Sequence, residues 1–180
     1  MREYKAIKKN IIATTVLNTP LGKMFVASTS KGICLLTFYD ETKIPKQLEK
    51  LKKFFDADIM SAHNVHFDTL KNELDEYFDN KREFFEVPLQ LLGTPFQIKV
   101  WKILQAIPYG NTISYQEQAS LINNEKAVRA VANANANNLI ALIVPCHRVI
   151  GKSGKLTGYA GGIEKKEFLL NLEKKVVCLH

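Results

Sequence analysis

Short apolar-rich stretches over the first forty positions, separated by turn residues, predict three short β-strands. The strands span residues 11–17, 23–28 and 33–38, and each is rich in the branched and aromatic residues that strands favour. Pro20-Leu21-Gly22 and Lys31-Gly32 separate them, as expected for tight turns. We therefore predict a small antiparallel sheet at the start of the chain.

Two helical patterns follow the predicted strands. Apolar residues at helical spacing define one face of each helix: Leu48, Leu51, Phe54 and Phe55 in the first, with Pro45 near its start, and Phe67, Leu70, Leu74, Tyr77 and Phe78 in the second. These stripes are most simply explained as core. No motif in residues 1–88 points to chemistry, so we expect this half to act as a scaffold.

The pattern changes near residues 87–93, where we place a boundary between two domains, 1–88 and 89–180. Thr94-Pro95-Phe96-Gln97 combines an N-cap threonine, a proline suited to the first helical position and a glutamine that can complete a capping box. The predicted helix has an apolar face of Phe96, Val100, Trp101 and Leu104, and it ends at Ile107-Pro108-Tyr109-Gly110.

A second capping box, Ser114-Tyr115-Gln116-Glu117, opens a short helix that reaches Ile122. Asn123-Asn124 then forms a turn, and an alanine-rich helix follows to about Asn137. Two helices joined this closely are the outline of a helix-turn-helix and equally of an ordinary helical hairpin. The small side chains of the second helix allow close approach to another helix or to the wall of a DNA groove.

An unbroken apolar run, residues 139–144, directly precedes Pro145-Cys146-His147-Arg148-Val149-Ile150. The run is too short to cross a membrane, and we predict a buried extended segment that presents Cys146 at its end. Only a thiolate is a good nucleophile, and the adjacent His147 and Arg148 can supply the base or positive charge that favours it.

Interpretations of Cys146 without catalysis remain open at this point, as a packing residue, a metal ligand or half of a disulfide. Buried cysteines are often inert packing residues. Cys34 and Cys178 stand alone, without the paired spacing of a structural zinc site or a disulfide framework. The sequence therefore disfavours both a metal site and a disulfide.

The end of the chain combines a loop and a helix. Five glycines among residues 151–162 predict a loop that is mobile or that approaches a ligand closely. A last helix, from Ile163 to about Lys174, directs Phe168, Leu169 and Leu172 to the core. The predicted fold class is α/β of the α+β kind: a small antiparallel sheet with flanking helices, then a mostly helical domain with the helix-turn-helix and the cysteine.

Charge and composition narrow the partner class. The 180 residues carry a net charge of +7; residues 1–88 hold 14 basic against 13 acidic residues, and residues 89–180 hold 11 against 5. A basic second half suits a polyanion such as DNA, although many basic surfaces are only solvated. The charged start, Met1-Arg2-Glu3-Tyr4-Lys5, leads into no long apolar stretch, so we expect no signal or membrane anchor and a cytoplasmic protein.

With these motifs in place, the second half resembles the O6-alkylguanine-DNA alkyltransferases, also called methylated-DNA–protein-cysteine methyltransferases. The matching segments follow the family order over about 90 residues: Thr94-Pro95-Phe96-Gln97 with Val100-Trp101, Ile107-Pro108-Tyr109-Gly110, Ser114-Tyr115, Ala127-Val128-Arg129-Ala130-Val131, Asn138, Pro145-Cys146-His147-Arg148-Val149-Ile150, and Gly158-Tyr159 with Gly161-Gly162. The first half matches only in its general form, including Thr19-Pro20-Leu21-Gly22.

The resemblance implies DNA repair by direct reversal. An alkyl group on O6 of guanine, with O4 of thymine as a further candidate, would move irreversibly to Cys146, once per molecule and without metal or organic cofactor. His147 would remove the thiol proton through a bound water, and Glu173 would hold and polarise that histidine. Tyr115 would protonate the leaving guanine, and Asn138 would brace the turn that carries the cysteine.

The same resemblance implies a DNA-bound monomer. The partner would be double-stranded DNA containing O6-alkylguanine, held through its minor groove with the damaged base flipped out. Arg129 would fill the gap in the stack. Ala127, Ala130, Tyr115 and Arg148 would make further DNA contacts, and Pro145, Val149, Tyr159, Ala160 and Gly161 would line the base pocket.

Two other classes of function compete with this hypothesis. Alkyltransferase-like proteins bind the lesion without removing it, but they lack the cysteine. A cysteine hydrolase would use Cys146 and His147 on a carbonyl and would turn over many times. Loss of lesion against amount of protein separates the three: stoichiometric loss, no loss, or continuing turnover.

Overall fold

The computed structural model describes residues 10–177, except for the side chains of residues 175–177. The strands are β1 (Asn10–Thr19), β2 (Gly22–Thr29), β3 (Gly32–Phe38), β4 (Ala57–Ser61), β5 (Ile113–Ser114) and β6 (Val149–Ile150). The helices are α1 (Ile44–Phe55), α2 (Val65–Phe78), α3 (Pro95–Gln105), α4 (Tyr115–Leu121), α5 (Val128–Ala136) and α6 (Ile163–Val177), with 3₁₀ turns at Glu125–Ala127 and Cys146–Arg148. The predicted α+β class is confirmed.

The larger sheet has the strand order β3-β2-β1-β4. The antiparallel pairs β1–β2 and β2–β3 are confirmed, but β4 runs parallel to β1 and was not predicted. On the far edge, β3 contacts the second half of the chain: the Leu36 amide donates to the Leu139 carbonyl at 2.9 Å, and the Ala141 amide donates to the Leu36 carbonyl at 2.8 Å. The sheet therefore supports the segment that leads to Cys146.

The apolar run at residues 139–144 is buried or nearly so, but the predicted extended conformation is wrong. Only Ile140 bridges to the sheet, through Leu36. The chain then turns, with Leu142 at a φ of 69° and the Val144 amide donating to the Ile140 carbonyl at 3.1 Å. A short apolar run indicates burial without fixing the direction of the backbone. Cys146 consequently lies in a 3₁₀ turn and not at the end of a strand.

The predicted helices are present, with two errors in their buried faces. Phe54 of α1 is 61% exposed, and Phe168 of α6 is 42% exposed. In α6 the buried positions are Lys166, Leu169, Leu170 and Glu173, which share one face at helical spacing, and Phe168 falls outside that face. The face thus carries two ionisable residues at positions that the hydrophobic pattern alone does not select.

Both capping boxes are confirmed, at Thr94 with Gln97 and at Ser114 with Glu117. Helices α4 and α5 form the predicted helix pair, joined by a reciprocal pair of buried hydrogen bonds between the Gln118 and Asn135 amides at 2.7 and 3.2 Å. No helix within residues 10–177 is long and apolar enough to cross a membrane.

Candidate active site and DNA-binding face

The carboxylate of Glu173 is the centre of a buried hydrogen-bond network. Its Oε1 accepts from Tyr77 Oη at 2.7 Å, His147 Nε2 at 2.8 Å and Arg148 Nη2 at 3.0 Å. Its Oε2 accepts from Arg148 Nε at 2.9 Å and the Gly110 amide at 3.2 Å. Burial alone would raise the pKa of Glu173, but the hydrogen bonds from His147 and Arg148 and the charge of Arg148 hold that pKa at about 2. Glu173 is therefore ionised.

His147 is fully buried beside this carboxylate. Because Glu173 is ionised and can only accept, Nε2 of His147 carries the hydrogen. Burial lowers the pKa of His147 below its ordinary value, so the ring is neutral at pH 7. The lone pair then lies on Nδ1, which has no hydrogen-bond partner among residues 10–177.

Cys146 is 8% exposed and is held by Asn138. The Asn138 Nδ2 donates to Sγ of Cys146 at 3.4 Å and to the Val144 carbonyl at 2.7 Å, while its Oδ1 accepts from the Ile140 amide at 2.9 Å. The contacts to Val144 and Ile140 are backbone contacts of the kind that the resemblance implies for Asn138. Burial raises the pKa of the Cys146 thiol, although Asn138 and the charge of Lys166 oppose that shift. The thiol therefore needs a base to become a nucleophile at neutral pH.

Lys166 belongs to the site, and the sequence analysis did not single it out. Its Nζ is buried and donates to the carbonyls of Val149 at 2.6 Å, Thr157 at 2.9 Å and Gly158 at 3.5 Å. The ammonium thus ties the glycine-rich loop to β6, next to the cysteine. Its position on the same face of α6 as Leu169 and Glu173 is the one sequence signal that marks it.

Two tyrosines lie around this cluster. Tyr115, at the start of α4, donates its hydroxyl to the Thr157 carbonyl at 3.3 Å, and burial raises the pKa of Tyr115. The Tyr159 ring packs edge-on against His147, with 6.4 Å between centroids. Its buried hydroxyl has no hydrogen-bond partner within the described part of the chain.

The residues predicted to line a base pocket lie in different parts of the structure and differ in exposure. Gly161 packs on β3, where an added Cβ would lie 2.5 Å from the Phe38 ring, and Ala160 beside it is exposed. Val149 is fully buried in β6 and pairs with Ile113, so its side chain faces the core. Pro145 lines a separate cavity of about 420 Å³.

The prediction that Arg148 contacts DNA is wrong. Its side chain is 8% exposed; it pairs with Glu173 through two nitrogens and donates from Nη1 to the Ile107 carbonyl at 2.7 Å. Releasing the guanidinium would leave a buried carboxylate without its counter-charge, which is strongly unfavourable. Arg148 is a structural partner of Glu173.

The other predicted DNA contacts lie at the beginnings of α4 and α5. Arg129 and Ala130 are exposed in the first turn of α5, Ala127 is half-buried just before it, and Tyr115 opens α4. The Gln116 Nε2 donates to the Glu125 carbonyl at 3.2 Å and holds the two helix starts together. We call this set of residues at the two helix starts the α5 face.

No group of three or more histidine, cysteine or acidic residues within residues 10–177 could hold a metal ion. Cys34 is buried, its Sγ donates to the Ala27 carbonyl at 3.4 Å, and burial raises its pKa to about 12. Cys34 is thus an inert packing residue. Cys178 lies outside the described residues.

The fold and the site together define an α+β protein in which a helix-turn-helix stands beside a buried cysteine and a buried histidine–glutamate pair. Residues 12–91 match the family model for the ribonuclease-like domain of 6-O-methylguanine DNA methyltransferase, and residues 95–175 match the model for its DNA-binding domain. The chain belongs to the 6-O-methylguanine DNA methyltransferase family, which confirms the resemblance found in the sequence.

Individual relatives agree with this assignment. The methylated-DNA–protein-cysteine methyltransferase of Methanosarcina barkeri is 43% identical over 162 residues, covering 88% of this chain and 95% of its own. The protein of that name from Mycobacterium tuberculosis is 56% identical over 158 residues, covering 88% and 90%. The crystal structure of Mycobacterium tuberculosis OGT in complex with DNA superposes with a TM-score of 0.76 at 40% identity, covering 92% and 93%.

Proposed function

We propose that this protein repairs DNA by moving a methyl or other alkyl group from O6 of guanine to its own Cys146, once per molecule. Family membership makes it a DNA alkyltransferase with a protein cysteine as acceptor. One observation carries the assignment to this site: Cys146 is chain neighbour to a neutral, buried His147 whose second nitrogen is held by ionised Glu173. O4 of thymine carries its alkyl group on the same kind of exocyclic oxygen and is a second candidate.

The first step is removal of the thiol proton. A water molecule between Sγ of Cys146 and Nδ1 of His147 carries that proton to the imidazole. Glu173 stabilises the imidazolium that forms, as the acid does in other activated nucleophiles. This step is needed because burial keeps the thiol protonated at neutral pH.

The second step is in-line attack on the alkyl carbon. A new S–C bond forms while the C–O6 bond breaks and its electrons return to the guanine. Tyr115 donates a proton to the leaving base and recovers one from the His147 imidazolium through solvent, so the proton lost by the thiol is balanced by the one gained by guanine. The Tyr115 hydroxyl has the Thr157 carbonyl, at 3.3 Å, as its one hydrogen-bond partner among residues 10–177, so it can change partner when a base is present.

The DNA is a duplex bound by a monomer through its minor groove. The target atom is hidden in the stack, so the base must be flipped out at a cost of a few kcal/mol. Exposed Arg129 fills the gap that the base leaves, and small Ala127 and Ala130 let α5 approach the groove closely. Alkyltransferase-like proteins that only bind the lesion are disfavoured, because the chain retains Cys146.

Peptide mass mapping after incubation with methylguanine DNA tests the proposal. We expect one added methyl group on Cys146, transfer that stops at one group per molecule, and no transfer by Cys146→Ala. Cys34→Ala is the matched control, since it removes a second buried thiol outside the site and should still transfer. Methyl found on another residue, or continuing turnover, would reject the mechanism.

A further inference from the structure

A groove of about 1010 Å³ separates α1 from the second half of the chain, and most of it lies outside the site described above. One wall is the end of β3 together with α1. The opposite wall combines the start of α3, the end of α5 and the glycine-rich loop. Its charged and aromatic lining residues are Lys43, Lys50, Lys53, Lys165, Asp40, Phe38, Tyr39, Phe54 and Trp101.

The charge of the groove is positive. Lys43 pairs with Asp40 at 3.0 Å, and Lys53 pairs with Glu49 at 3.1 Å. Lys50 makes no ion pair within residues 10–177, and the Lys165 ammonium lies 5.2 Å from the centre of the Phe38 ring. Two of the four lining lysines are thus paired with carboxylates, and Lys50 and Lys165 carry the unbalanced positive charge, so a polyanion is the complementary ligand.

The groove also presents aromatic rings to solvent. Tyr39 is 45% exposed and Phe54 is 61% exposed, although the helical pattern of α1 places Phe54 with its core residues. Exposed rings among lysines are the combination on which unpaired nucleic-acid bases stack while their phosphates follow the cations. A duplex hides the faces of its bases, so the rings favour a single strand.

The groove continues from the α5 face. Ala136 and Asn137, at the end of α5, line it, and Arg129 lies in the first turn of the same helix, about 11 Å away at 1.5 Å per residue. Ala160 and Gly161 line it from the loop next to Cys146. A strand that leaves the α5 face therefore meets the groove within a few nucleotides.

We propose that this groove binds single-stranded DNA, with phosphates on Lys50 and Lys165 and bases stacked on Tyr39 and Phe54. The proposal deepens the proposed function and rests on it only for the position of DNA on α5. It makes unpaired DNA next to the lesion a part of the substrate.

Binding of an undamaged oligothymidylate, followed by fluorescence anisotropy over a range of salt concentrations, tests the groove. We expect Lys50→Gln to weaken binding and to reduce the magnitude of the log–log salt slope by about 0.7, the value for one phosphate contact on a single strand. Lys52→Gln is the matched control: it removes the same charge from the same helix but lies outside the groove, and it should leave the slope nearly unchanged.

Phe54→Ala tests the stacking contribution separately. We expect binding about fivefold weaker or more, with an unchanged salt slope, because a stacked ring contributes without neutralising a phosphate. Lys50 and Phe54 are both exposed, so neither substitution opens a cavity in the core.

Three results would overturn the proposal. Equal effects of Lys50→Gln and Lys52→Gln would indicate diffuse attraction, and equal losses on a blunt duplex of the same length would assign the groove to paired DNA. Unchanged binding in Phe54→Ala would remove the stacking role. Because the oligonucleotide carries no lesion, failure here leaves alkyl transfer to Cys146 untouched, and a failed mass-mapping experiment leaves the groove test intact.

Discussion

The hydroxyl of Tyr77 donates to the same Glu173 oxygen that accepts from His147 Nε2. Tyr77 comes from α2, in the half of the chain that we expected to act only as a scaffold, so that expectation needs correction. A hydrogen bond to a carboxylate delocalises the negative charge of the carboxylate, and the carboxylate then attracts its other hydrogen-bond donors less strongly. Tyr77 therefore moderates how strongly Glu173 stabilises the protonated form of His147.

Replacing Tyr77 by phenylalanine should raise the pKa of His147. Transfer needs the neutral imidazole, so the rate falls as the pH drops below that pKa, and the acidic limb of the rate profile should move to higher pH in Tyr77→Phe. A hydrogen bond to a charged group contributes about 1.5–3 kcal/mol, which sets an upper limit of about one to two pH units. Single-turnover transfer measured from pH 5 to 8 gives the shift.

Tyr109→Phe is the control for this prediction. Its ring packs against Tyr77, with 5.9 Å between centroids, and its buried hydroxyl has no hydrogen-bond partner among the described residues. We expect an unshifted profile. A shift of the same size in both variants would show that the ring cluster, and not the Tyr77 hydroxyl, sets the basicity of His147.

Among the residues of the site, the sequence alone identified Cys146 and His147, because a nucleophile and a base are adjacent in the chain. Glu173 came only from the resemblance, although it shares the buried face of α6 with Lys166. Tyr77 and the Gly110 amide could not have been predicted as partners of Glu173, since their contacts depend on how distant segments pack.

Helix α5 separates a packing face from an exposed face. Val131, Ala134 and Asn135 are buried, and the Ala134 carbonyl accepts from Trp101 Nε1 at 2.9 Å. Arg129 and Ala130, in the first turn of the helix, are exposed. The helix is thus fixed on α3 through its buried residues, while its first turn stays exposed where we propose that DNA binds.

Arg129→Ala should impair repair of duplex DNA more than repair of the free alkylated base. In the proposed function the Arg129 side chain fills the gap left by base flipping, and only duplex DNA has that gap. We expect at least about a tenfold loss on duplex, corresponding to about 1.4 kcal/mol of the few that flipping costs. Transfer rates on both substrates provide the measurement. Equal losses of rate on the two would show that Arg129 does not fill the gap in the base stack.

The helices and strands that are marked by nearby residues in the sequence were predicted. Those that form only through contacts with distant segments were not. The two capping boxes fixed the starts of α3 and α4, because each needs only two residues that are three positions apart in the sequence. Strand β4 was missed since its five residues lack clear alternation and form a strand only beside β1. The run at 139–144 follows the sheet for one residue and then turns, a course set by β3.

The larger hydrophobic core contains side chains from both halves of the chain, among them Met24, Leu74, Val100 and Leu169. The family models match residues 12–91 and 95–175, and the division into domains 1–88 and 89–180 stays a prediction. The Tyr77–Glu173 contact and the bridge from Leu36 to Ile140 cross that division. We infer that the first half positions the active site as well as covering the core.

Acid should destabilise the folded protein through the buried site. The pKa of Glu173 is about 2 in the fold against an ordinary 4.5, so its stabilisation is complete above pH 4.5 and is lost as the pH falls towards 2, amounting to about 3 kcal/mol. The pKa of His147 is lowered by burial. Below pH 6.5 the imidazole of His147 therefore binds a proton more readily in the unfolded chain than in the folded chain. The free energy of unfolding consequently also falls as the pH drops below 6.5.

The free energy of unfolding, measured with urea between pH 7 and pH 3, should thus decline in two stages, below pH 6.5 and again below pH 4.5. His147→Gln separates the stages, because a glutamine amide can still donate to Glu173 but does not titrate. In that variant the decline between pH 6.5 and 5 should shrink while the decline below pH 4.5 persists. Parallel curves for the two proteins would show that His147 is not held neutral by the fold, and the proton transfer from Cys146 would then lack its acceptor.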